Sequence, residues 1–197
     1  AEYLGVDFST KMLEGAQSLM QQFAAELKSV PTFQQADVRS LKLPEATFDC
    51  VLTERCLLNL PSRDDQWQTI REIHRVLKPG GTYLMVEGTE DGLQKLNRVR
   101  EPMGLEPIPT VASDNVSALK FHEAELERVL EPYFSIEKKH YFGLYYLISR
   151  VVHPLLAAPA QPKFDAPINA IARKLSETYP CDMNLGHVVG YKLIAKK

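Results

Sequence analysis

The chain has 197 residues, 45% of them hydrophobic and 24% charged, enough for one domain with its own buried core. A formal net charge of −2 offers no basic face to a phosphate backbone, so nucleic acid is not an expected partner. The three cysteines form no Cys-x-x-Cys pair, which favours reduced thiols over a disulfide scaffold.

Taken in order, Tyr3–Asp7 reads as a short strand that begins almost at the first residue. Ser9 then opens a helix whose apolar positions Met12, Leu13, Ala16, Leu19, Met20, Phe23, Ala24 and Leu27 predict a strongly amphipathic face. Phe33–Ala36 is a second strand, and Leu41–Thr47 a loop. Phe48–Leu52 is an apolar run of the buried-strand kind. Trp67, Ile70, Ile73, Val76 and Leu77 recur at helical spacing, behind a start at Ser62 with Asp64 and Asp65. Lys78-Pro79-Gly80-Gly81 is read as the stop of that helix, with glycine in a left-handed cap. Thr82–Val86 is the next strand, closed by Glu87 and Gly88. Strand, helix, strand predicts a parallel, right-handed crossover.

Beyond Thr89 the chain turns irregular up to Lys120, with a short helix expected over Asp91–Arg100. A helix over Glu123–Leu130, a strand over Phe134–Phe142 and a final strand over His187–Ala195 follow. The long stretch between those strands, residues 143–186, is expected to be a helical insertion or lid. Leu144–Ala158 within it is apolar but carries Arg150, His153 and Pro154, and is too short to cross a bilayer. No membrane partner is expected, and the expected setting is cytoplasmic.

Alternating short strands and amphipathic helices predict an α/β fold: a doubly wound, mostly parallel, Rossmann-like sheet with an antiparallel last strand. Ligands of such sheets bind outside the carboxyl ends of the strands. The residues to inspect there are Asp7-Phe8, Asp37-Val38, Thr53-Glu54-Arg55 and Glu87-Gly88. Each of these four junctions carries a carboxylate. His140, His153 and His187 have no ligand spacing with each other or with the cysteines, so no metal is expected.

These pieces resemble the class I S-adenosylmethionine-dependent methyltransferases. Gly5-Val6-Asp7-Phe8-Ser9, Asp37-Val38, Phe48-Asp49-Cys50-Val51 and Arg75-Val76-Leu77-Lys78-Pro79-Gly80-Gly81 fall in the family's order and spacing. The resemblance covers roughly residues 3 to 90 well. It implies S-adenosylmethionine as methyl donor and a small-molecule acceptor, with oligomeric state open. Asp7 is similar to the acid that accepts both ribose hydroxyls, although a helix-start carboxylate is the plain alternative. Phe8 would lie against the adenine, or in the core. Asp37 matches the acceptor for the adenine amino group, with the Val38 amide beside it, or is a turn aspartate. Thr53 matches a position near the methionine part.

Glu54 and Glu87, at the binding edge, and His122, before its helix, are the candidate catalytic groups should the acceptor need a base. His74 is expected on an exposed polar face. Arg55, Tyr145, Tyr146 and Arg150 are the candidate acceptor contacts; the two tyrosines equally suit plain packing of the insertion. The family's first strand and its glycine-rich loop should precede Ala1. Residues 1–197 are therefore expected to be one N-terminally incomplete domain that binds the donor poorly. A noncatalytic binding or scaffold protein of the same fold is the alternative. A nicotinamide-dependent oxidoreductase fits less well, because Lys78-Pro79-Gly80-Gly81 and an antiparallel last strand suit it badly.

Overall fold

A computed structural model of the chain describes residues 2–110, 118–179 and 181–197. Its largest body is a four-stranded sheet ordered β3-β4-β6-β5, where β3 is Phe48–Glu54, β4 Leu77–Gly88, β6 Val188–Ala195 and β5 Phe134–Tyr141. β3 and β4 run parallel through the helix α2 (Arg63–Val76), as the strand-helix-strand pattern requires. β6 is antiparallel to both neighbours. Its alternation places Val189, Tyr191 and Leu193 inward, each at most 2% exposed.

The core lies between this sheet and the helices α2 and α4 (Glu123–Leu130). Ile70, Ile73 and Leu77 from the α2 side meet Tyr83 and Met85 of β4 and Leu126 and Leu130 of α4. Ser62 caps α2, its Oγ accepting from the Asp65 N–H at 3.1 Å. The other end of α2 differs from the sequence expectation. The helix stops at Val76, β4 begins at Leu77, and Gly80, with φ +76°, sits in an irregularity of the β3–β4 ladder. Glycine is needed there for a bulge in the strand, not for a helix cap. His74 is also not simply solvated: its Nε2 lies 3.1 Å from the Lys196 carbonyl oxygen, and its ring rests against Tyr133 and Phe134.

A second, two-stranded sheet pairs β1 (Leu4–Asp7) with β2 (Thr32–Gln35) in parallel, joined by α1 (Thr10–Phe23). α1 has the expected apolar stripe and the Ser9 cap but no buried residue. Met12, Leu19 and Phe23 stay 46–63% exposed. Among the described residues, one edge of β1 and one edge of β3 have no ladder partner.

The insertion folds as α5 (Gly143–Leu147), a π-helical turn (Ile148–Val152) and α6 (His153–Ala157), then α7 (Pro167–Thr178). Tyr146 and Val151 form a smaller core with Leu96 of α3 (Glu90–Arg100). The irregular stretch expected before Lys120 includes residues 111–117, which lie outside the described residues.

Candidate active site at the strand tips

The β1–β2 register sets Asp7 beside Gln35, and the Ala36 N–H donates to the Asp7 carbonyl at 3.0 Å. Asp7 and Asp37 therefore leave adjacent parallel strands at the same end. Asp7 Oδ1 accepts the Ser9 N–H at 2.7 Å, which leaves its second oxygen for a ligand hydroxyl. Phe8 is 72% exposed at this tip, with its carbonyl held by Gln35 Nε2 at 2.9 Å. A carboxylate and a bare aromatic face side by side suit a diol and a flat ring.

Asp37 departs from its expected role. Both of its oxygens are taken by Arg39, through Nε at 3.0 and 3.1 Å and Nη2 at 2.7 Å. Arg39 also reaches Asp65 at the start of α2. Hydrogen bonds from Arg39 hold the Asp37 carboxyl below the usual carboxylate range. In this arrangement Asp37 braces the β2 turn against α2, and its side chain is no acceptor for a base. Val38, next in that turn, is partly exposed.

The tips of β3 and β4 also correct two expectations. The Thr53 hydroxyl points into the core, 2.9 Å from the Tyr83 hydroxyl, so its side chain is structural. Glu87 is fully buried. Its Oε1 accepts the Cys56 and Leu57 N–H groups at 3.0 and 2.9 Å, and its Oε2 accepts Leu58 N–H at 3.2 Å. It shapes the turn after β3 and has no open side from which to serve as a base. Burial pushes its carboxyl up to about 7 against the opposing pull of those amides. Glu54, on the other face of β3, is exposed. His122 lies 3.5 Å from Glu90 and 4.0 Å from Asp91, half exposed.

Arg55 follows β3 in a left-handed conformation, φ +50°, uncommon outside glycine and concentrated at functional turns. Its N–H donates to the Val86 carbonyl at 2.8 Å, and its carbonyl accepts from Asn59 Nδ2 at 2.7 Å. This turn joins two regions. The Cys56 thiol is pushed up to about 11, first by burial, then by the Glu87 and Asp7 charges, so the turn lies within the field of the β1 tip. On its other side Arg55 lines a cavity of ≈ 290 Å³ at the open ends of β4 and β6, with Leu58, Leu93, Ile108, Lys120 and His187.

Hydrogen bonds fix that cavity's walls. Leu119 N–H donates to the Leu58 carbonyl at 2.7 Å and Phe121 N–H to Gly88 at 2.9 Å. Arg63 Nη2 donates to the Lys120 carbonyl at 2.6 Å. The expected acceptor contacts converge here in part. Tyr146 packs edge-on to His187 at 5.0 Å and to Tyr145 at 5.5 Å. The charges of Arg55 and Arg150 both act on Tyr146 and on His187. Lys120 and His187 escaped the sequence reading; both immediately flank elements at the open sheet edge, which is the signal that would have found them. Among the described residues no cluster of His, Cys, Asp and Glu is placed to hold a metal, and no helix is long and apolar enough to cross a membrane.

This sheet with this tip arrangement has the fold of the class I S-adenosylmethionine-dependent methyltransferases. Residues 1–85 match the family model described as a methyltransferase domain. Over 79 residues, 40% of the chain, it is 30% identical to the ubiquinone/menaquinone biosynthesis C-methyltransferase UbiE of Escherichia coli O1:K1, a match that spans 30% of that protein's length. An S-adenosylmethionine-dependent methyltransferase structure from Methanosarcina mazei superposes with a TM-score of 0.60 at 18% identity, covering 100% of this chain and 82% of that one. The 4+2 cyclase SpnF superposes with a TM-score of 0.58 at 20% identity, covering 98% and 65%. The fold is thus shared by a protein described by another chemistry, and the site must carry any claim about the reaction.

Proposed function

We propose that the protein transfers a methyl group from S-adenosylmethionine to a small-molecule acceptor. One observation carries this reading: the turn Arg55-Cys56 lies between the Asp7–Phe8 tip, suited to a nucleoside, and a cavity sized for a small molecule. At ≈ 290 Å³ the cavity is near the lower end of the roughly 300–1,000 Å³ typical of ligand pockets, which favours a metabolite over a polymer. The donor supplies an already activated sulfonium methyl. Asp7 would hold its ribose hydroxyls and Phe8 its adenine face, while Arg55, Tyr146 and Arg150 border the acceptor and the insertion 143–186 keeps water out. Among the described residues no carboxylate lines the cavity, which favours an acceptor that needs little help from a base.

In the same reading, a further strand with a glycine-rich turn pairs with the free edges of β1 and β3. The test is incubation of the full-length gene product with methyl-labelled S-adenosylmethionine and fractionated small metabolites. Label is expected in a low-molecular-weight product, and loss of that transfer in Asp7→Ala. Donor binding without transfer to any pool would favour the noncatalytic alternative.

A further inference from the structure

The cavity behind Arg55 has an unusual balance of charge. Leu58, Leu93 and Ile108 give it apolar walls, and among the described residues its charged lining residues are Arg55 and Lys120. Among the described residues neither Arg55 nor Arg150 has a carboxylate partner within ion-pair distance. His187 stands at the wall with Nδ1 buried and without a hydrogen-bond partner. Burial, then the charges of Arg150, Lys120 and Arg55, push its ring down to about 4, so it is neutral at physiological pH. The Lys120 ammonium spends one donor on the Thr110 carbonyl and keeps others.

Three cations therefore act on one mostly apolar chamber that no carboxylate lines among the described residues. Unpaired charge in a partly desolvated site is costly until a counter-charge arrives. Arg55 adds a left-handed backbone at the mouth, the kind of strain that persists where a ligand contact is built.

We infer that this cavity is an anion-recognising acceptor subsite: the molecule it takes is a small, largely apolar acid whose carboxylate or ionised oxygen meets Lys120 and Arg55, with Arg150 supporting them. The inference rests on the methyl-transfer reading for the word acceptor, but the anion site itself does not need it. It also fits a lining without a carboxylate base among the described residues, because an acceptor that arrives ionised has no proton left to remove. The neutral His187 ring completes the wall.

The experiment is calorimetric titration of the full-length protein with benzoate and with its neutral isostere benzamide, alongside NMR of the His187 ring. Benzoate is expected to bind more tightly than benzamide, on the order of tenfold, and to shift the His187 signals. Lys120→Met should erase that preference. Should Lys120→Met fail to fold, Arg55→Gln carries the test, since the exposed Arg55 side chain makes no hydrogen bond or ion pair among the described residues. Equal affinity for the two probes, a preference unchanged in Arg55→Gln, or His187 signals that do not move would each overturn the subsite. A parallel titration with S-adenosylhomocysteine separates the two readings. Benzoate preference without donor-product binding would overturn methyl transfer and keep the anion site; the reverse result would overturn the anion site alone.

Discussion

Glu87 and His187 titrate in opposite directions on either side of the β4–β6 tip. Burial raises Glu87 from 4.5 to about 7. Its neutral form is thus favoured by folding; that stability is complete below pH 4.5 and lost as pH rises through about 7, a difference worth about 3 kcal/mol. Burial lowers His187 from 6.5 to about 4. Its contribution is complete above pH 6.5 and lost as pH falls towards 4. Between pH 5 and 6.5 the two slopes oppose each other, and the parent protein should show a nearly flat stability profile in urea melts. Glu87→Gln should leave the His187 slope, so stability rises with pH across that window. It should also cost about 1–3 kcal/mol overall, because the new NH₂ faces the Leu58 N–H where an acceptor was. His187→Asn should show the reverse slope. A profile that stays flat in both variants would mean that neither group titrates in this range. Neither assignment was legible in the sequence, where Glu87 looked like a catalytic base; only the turn's three amides reveal its duty.

The elements themselves were far more legible than the roles of their side chains. Sequence pattern identified α2, α4 and β6, because each turns an apolar face to the core. α1 shows where that logic stops: its stripe is as regular, yet nothing among the described residues buries it. The Arg39 brace on Asp37 was equally invisible, since it depends on Asp65 coming near across the fold. The turn into β6 is a further element that pattern alone could not specify. Gly186 has φ +102°, and a Cβ there would strike the Tyr146 ring. Gly186→Ala should therefore destabilise by about 2 kcal/mol or more, from backbone strain and from the clash together. Adding Tyr146→Ala to it should recover the clash but not the strain, so the double variant loses less than the sum of the single losses. Strict additivity in thermal melts would show that the ring yields freely and that the insertion is not seated on this turn.

On the scale of the molecule, the β1–α1–β2 unit and the four-stranded body are two ladders whose outer strands, β1 and β3 among them, have open edges among the described residues. Leu52, near the middle of β3, is 64% exposed, and Val6 of β1 is 38% exposed. Open strand edges and uncovered apolar side chains give little protection against local opening. The donor contacts proposed for Asp7 and Phe8 sit on the weaker unit, whereas the cavity sits on the stronger. In residues 1–197 alone, amide hydrogen exchange should be fast across β1 and β2 and slow across β4 and β6, whose Tyr83, Met85 and Tyr191 are buried in the core. A donor that must order the loose unit on binding forfeits part of its contact energy to do so. S-adenosylmethionine should accordingly bind residues 1–197 more weakly than micromolar, and should slow exchange in β1 and β2 at saturating concentration. Tight donor binding with β1 and β2 already protected would show that this unit is ordered without a further strand. The pairing proposed for the open edges would then have no work to do.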